Sequence, residues 1–154
     1  MHDAPLTASE SMPQNEARIA SVVSLERWAV LYARIALGAA FLSGVAARFG
    51  LWGARSSWKD FADFTRYTAE VNSFMPAATI PFLAWAATVA ELSLGITLVV
   101  GVGLRWAAVG SALLLALFGA AMAISFGIKS PLDYSVFSAS AGALLLALHE
   151  TRKP

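Results

Sequence analysis

From Trp106 to Ile128 the chain carries no charged residue and is built almost wholly of Ala, Leu, Val, Gly, Phe, Met and Ser. A helix rising about 1.5 Å per residue over such a stretch crosses the roughly 30 Å hydrocarbon core of a bilayer. In lipid the backbone polar groups must be satisfied internally, so a chain of this kind folds into helices or a closed barrel. Composition agrees: 154 residues are 58% hydrophobic and 14% charged, against about 25% charged in an ordinary soluble domain. The reading is an all-α integral membrane protein, an antiparallel bundle of four transmembrane helices.

Residues 1–27 are mixed and polar and read as a mobile tail, with an interfacial lead-in towards Arg27 and Trp28. The first span is expected over 28–49, with Arg34 the charge well inside it. A cleavable signal peptide competes through Ala46 and Ala47, but the polar region before the run is too long and the run itself exceeds the usual apolar core of a signal. In residues 50–76 several apolar positions fall three or four apart among charges, which predicts a short amphipathic helix lying on the membrane between the first two spans. The second span is expected over 79–102, interrupted by Glu91 alone, and the third over 106–126. The short turn between them makes those two antiparallel neighbours. The fourth is expected over 132–149, so that 28–149 form one membrane domain and 150–154 a short basic tail. Basic residues divide five and five between the two sides and leave orientation open.

Several chemistries are excluded or poorly served. The chain has no cysteine and two histidines, so thiol redox, iron–sulfur ligation and c-type haem attachment have no ligands. No metal-binding motif is present, and a net charge of +1 gives no surface for nucleic acid. Arg34 and Glu91 are the charges well inside spans. An unpaired charge at a helix centre costs on the order of 2.5–3.5 kcal/mol by insertion scales, so an intramembrane Arg34–Glu91 ion pair is expected. It reads either as an interhelical staple or as a proton or quinone-headgroup site. A second cluster, Lys129, Asp133 and Tyr134, is read as a cap for the fourth helix, through Asp133, or as the mouth of a ligand or partner site facing Trp58 and Phe61. Gly38, Gly44, Gly95, Gly119, Gly127 and Gly142 are candidate close-packing positions.

The segment Ala90-Glu91-Leu92-Ser93-Leu94-Gly95-Ile96-Thr97-Leu98-Val99-Val100-Gly101, followed by Leu104-Arg105-Trp106-Ala107-Ala108, resembles the DoxX family of small four-helix membrane proteins, as does Arg34-Ile-Ala-Leu-Gly38. Arg34, Glu91, Gly95, Gly101 and Arg105 occupy the places of the family pattern, and the likeness extends over most of 28–149. The resemblance implies a bacterial inner-membrane location with cytoplasmic termini, and links to sulfur and quinone chemistry and to complexes that handle oxidative stress. Cysteine-bearing relatives of similar layout do not lend their thiol chemistry to a chain without cysteines. Three readings stay open: an accessory subunit that docks a redox-enzyme partner protein; a quinone-binding oxidoreductase subunit using Arg34 and Glu91; and a small-solute transporter assembled as an oligomer. A homodimer through the small-residue stripes is a further expectation.

Overall fold

The computed structural model describes residues 8–151. Residues 1–7 and 152–154, and with them the ends of the two expected tails, lie outside the described residues. Those described are all helical: α1 (Ala8–Arg48), α2 (Phe61–Val71), α3 (Ile80–Val100), α4 (Leu104–Phe126), the short α5 (Lys129–Asp133) and α6 (Val136–Thr151). The chain divides into two compact units, Met1–Tyr32 and Ala33–Pro154.

In the first unit, helix α1 already runs from Ala8, so the polar stretch expected as a mobile tail is helical over 8–27. Its side chains at Val22, Leu25, Trp28 and Tyr32 are exposed.

In the second unit, three stretches are long and apolar enough to cross a membrane: Arg18–Arg48, whose later part lies here, Ala77–Val100 and Leu104–Phe126. Helices α3 and α4 fall within two residues of the second and third expected spans. Pro81 opens α3, where a missing N–H costs little. Gly101 closes it in the left-handed conformation, φ +84°, with its N–H donating to Thr97 O at 2.8 Å. The fourth expected span is broken between α5 and α6, where Ser135 takes φ +54°. Helix α6 has 16 residues, roughly 24 Å, shorter than a roughly 30 Å core.

Packing follows small residues. A Cβ on Gly38 would lie 2.8 Å from Val99 Cγ2 and 3.0 Å from Gly95 O, and one on Gly95 would lie 2.9 Å from Leu42 Cγ. Helices α1 and α3 therefore meet nearly backbone to backbone, and they run antiparallel. Gly110 packs against Leu94 to join α4 to α3, and Gly119 receives the ring of Phe137 to join α4 to α6. Ser140 Oγ donates to Ala112 O at 2.7 Å across the α4–α6 seam. Two expected packing positions make no close contact: Gly127 turns the chain at φ +82°, and Gly142 has nothing within 4 Å.

A methyl group at position 119 would sit 2.6 Å from Phe137 Cε1, so Gly119→Ala is expected to lower the detergent melting temperature through overpacking worth about 1–3 kcal/mol. Gly142→Ala, facing open space, is expected to leave it unchanged or slightly raised. Thermal unfolding of the two variants side by side checks the assignment.

Candidate functional site

On α3 the buried positions are Ile80, Ala84, Thr88, Glu91, Gly95 and Leu98, a stripe with helical spacing whose middle is polar. On α1 the facing stripe runs through Gly38, Phe41, Val45 and Arg48. Their meeting places a guanidinium against a carboxylate. Arg48 Nη2 donates to Glu91 Oε1 at 2.5 Å and Nη1 to Thr88 Oγ1 at 2.9 Å. The Thr88 hydroxyl in turn donates to Ala84 O at 2.8 Å. Both charged residues are 4% exposed.

Phe64 and Gly44 line the site besides the pair. The ring of Phe64 on α2 lies 3.9 Å from the Arg48 guanidinium carbon, a cation–π contact that also covers it. Gly44 lines the other side, where a Cβ would stand 3.2 Å from Glu91 Oε2. Phe64 is itself buried, together with Thr68 and Val71 on the same face of α2. Asp60 starts that helix by accepting from Asp63 N at 2.9 Å. Oε1 of Glu91 is engaged by Arg48, and one face of the guanidinium lies under Phe64.

The expected Arg34–Glu91 pair is not formed. Arg34 Nη2 donates instead to Val99 O at 2.8 Å, at the carbonyl end of α3 where a cation is favoured by the helix dipole. Its guanidinium lies over Gly101, where a Cβ would come within 2.5 Å of Nη2. The physical reason is register: the contact of Gly38 with Gly95 holds Arg34 level with the end of α3, about eight residues or ~12 Å from Glu91. Arg48 was missed as a partner because it sits at the last turn of the expected span, where it counts among the basic residues flanking the membrane rather than among the charges well inside it. One signal pointed to it. Positions 34 and 48 are fourteen apart, close to four helical turns, so both lie on the face that meets α3.

The second cluster divides. Lys129 Nζ donates to Asp133 Oδ2 at 2.5 Å on an exposed surface, so Asp133 pairs with lysine within α5 rather than capping α6, which begins three residues later. Trp58 and Phe61 belong to an aromatic cluster: Trp58 meets Phe64 and Tyr67, with ring centroids 5.1 and 5.7 Å apart, and Phe61 meets Trp85 at 4.4 Å and Phe49 at 5.6 Å. Tyr67 links the two groups. Burial pushes its phenol above the ordinary tyrosine range, and the neighbouring Tyr134 and Glu70 push the same way.

A model of the DoxX family matches residues 29–125. Comparison with curated proteins and with solved structures found no match.

Removing one member of a buried pair strands the other charge, so Arg48→Ala and Glu91→Ala are each expected to cost about 3–5 kcal/mol in unfolding titrations. The double variant Arg48→Met/Glu91→Leu is expected to recover most of that loss, and Arg34→Ala to cost less than either single change. Tyr67, with its folded pKa raised, contributes stability that is fully present below about pH 10 and is lost as pH rises through the folded value. Tyr67→Phe is accordingly expected to resist alkaline unfolding better than the wild type, as followed by circular dichroism.

Proposed function

The chain belongs to the DoxX family, and on that premise we propose that it is an accessory subunit of a membrane-associated redox complex, docking a partner enzyme rather than carrying the chemistry itself. The observation behind this reading is that the charges buried inside the bundle are consumed internally. Glu91 is held by Arg48, the two terminal nitrogens of Arg48 are taken by Glu91 and Thr88 under the ring of Phe64, and Arg34 donates to the end of α3, leaving only the Nε of each arginine buried without a partner among the described residues. Such a site stabilises an architecture; it offers no free acid, base or nucleophile to a substrate.

In this proposal α1, α3, α4 and α6 are the four spans of an antiparallel bundle in a bacterial inner membrane, with both termini cytoplasmic. The short α6 spans by virtue of its packing along α4, and α5 sits where the chain re-enters. The docking surface is formed by α2, α5 and the turns beside them: Trp58 and Tyr134 adjoin Tyr67, Phe61 lies in the neighbouring aromatic cluster, and Lys129 and Asp133 form an exposed pair on α5. The quinone-binding alternative would use the same Arg48–Glu91 pair, whose near face Phe64 covers.

Purification in mild detergent, followed by mass spectrometry of copurifying proteins and of extracted lipids, tests the two readings together. A stoichiometric redox-enzyme partner, retained by Arg48→Met/Glu91→Leu and lost on Lys129→Glu or Trp58→Ala in a folded protein, is the expected result. Stoichiometric isoprenoid quinone, lost on Glu91→Gln while the fold persists, would replace this reading with the oxidoreductase one.

A further inference from the structure

Helix α1 stops short of the surface that its neighbours reach. Gly38 against Gly95 and Gly44 against Glu91 set the antiparallel register of α1 on α3. Carried forward, that register puts Arg48 beside the turn around Trp85 to Thr88, six or seven residues or roughly 10 Å inside the first residue of α3. The ring of Phe49, 6.4 Å from that of Trp85, agrees. Helix α4 shows no such shortfall: Gly110 against Leu94 carries its last turn level with the start of α3.

The chain then turns back along α1 instead of running out to water. Trp52 Nε1 donates to Ser43 O at 3.2 Å, more than a turn before the end of the helix, and Ser56 Oγ donates to Ala47 O at 2.6 Å. Ala47 O is one of the last four carbonyls of α1, which have no intrahelical donor, and it also accepts from Gly50 N at 3.1 Å, while the Trp52 bond ties the returning chain to a carbonyl a turn further in. Between them lies an apolar run, Phe49, Leu51 and Trp52, which are 48%, 77% and 52% exposed. At the same depth α3 turns Phe82, Trp85 and Val89 outward, 73%, 52% and 57% exposed. A water-bathed loop does not carry such a face beside a lipid-facing helix.

The other end of the segment lies shallower. Helix α2 starts at the depth of Trp85, through Phe61, and ends beside the last turn of α4, where Ser125 Oγ donates to Val71 O at 2.6 Å. Its outer positions are Ala62, Arg66, Ala69 and Glu70, all exposed. A tilted helix with apolar side chains beneath and charges above suits the boundary between acyl chains and headgroups.

We infer that residues 49–60 form a re-entrant element whose Phe49, Leu51 and Trp52 contact lipid acyl chains inside the leaflet, completing the membrane crossing that α1 leaves unfinished at Arg48. Helix α2 is the outer part of the same element, and it closes the buried pair from the water side. The occupant of this apolar face is lipid, because the face is continuous with the lipid-facing side of α3 and begins where the crossing is incomplete. The inference stands apart from the proposed docking role.

The test uses the unmodified chain reconstituted in phosphatidylcholine vesicles containing a lipid with a diazirine at the acyl terminus. Trypsin cleaves the denatured chain after Arg48 and Arg55, so the element's apolar run is released as the peptide 49–55. Photo-adducts on that peptide, as on the α4 peptide 106–129, are expected; adducts on 106–129 with none on 49–55 would overturn the inference. Independently, the chain has no cysteine, so spin labels on Leu51→Cys, Ala62→Cys and the lipid-facing Leu117→Cys report depth by collision with oxygen and with a water-soluble nickel complex. The Leu51 label should lose nickel relaxation as the Leu117 label does, while the Ala62 label keeps it. A Leu51 label as open to nickel as the Ala62 label would refute immersion.

Discussion

Two charges brought out of water dominate the architecture. An ammonium- or carboxylate-sized ion loses several kcal/mol of hydration even after relaxation, and the mutual attraction of a pair offsets that only with close geometry and further polar partners. Arg48 and Glu91 meet those terms: a 2.5 Å contact, a threonine hydroxyl on the second guanidinium nitrogen and an aromatic ring over its face. Each element of the second unit that touches the pair is held to a particular place by it. Helix α1 cannot slide along α3 without separating the charges, and α2 cannot leave without admitting water to them.

Close approach of the two backbones is what makes the pair attainable. Between helices in lipid there is little hydrophobic gain from contact, so association depends on packing and on polar contacts. Gly38 and Gly95 let α1 and α3 approach until a Cβ on either would clash. Gly44 clears space beside the carboxylate in the same way. The glycines therefore act as register marks as much as packing devices, and the ionic contact is their consequence. Arg34 closes the other end of the seam by capping α3 over Gly101, a position that needs both a positive φ and the absence of a side chain.

The connection between α1 and α3 then has two tasks, sealing the pair and finishing a membrane crossing. Its sequence carries both kinds of residue, aromatic and apolar at Phe49, Leu51, Trp52, Phe61 and Phe64, charged at Lys59, Asp60, Asp63, Arg66 and Glu70. The aromatic cluster from Phe49 through Phe61 to Trp85 ties this segment to α3, and Ser125 ties its far end to α4. Family membership speaks to the kind of protein, and the chemistry of the site is read from its own side chains.

The sequence by itself determined the helical class, the membrane setting, the second and third spans and the amphipathic character of α2, because those depend on the length and periodicity of apolar runs, which are local properties. It also singled out Glu91 as a group needing a partner, since the cost of a buried carboxylate does not depend on what surrounds it in detail. Which arginine answers was decided only in three dimensions. Counting residues from the expected start of the first span brought Arg34 and Glu91 to comparable depth, but that count ignores where one helix lies along another. The glycine contacts set α1 so that Arg48, read as a flanking charge at the end of its span, came opposite Thr88 and Glu91. The fold-back of Trp52 onto Ser43 and the break before α6 were likewise out of reach, since each turns on how the chain packs and no apolar periodicity encodes it.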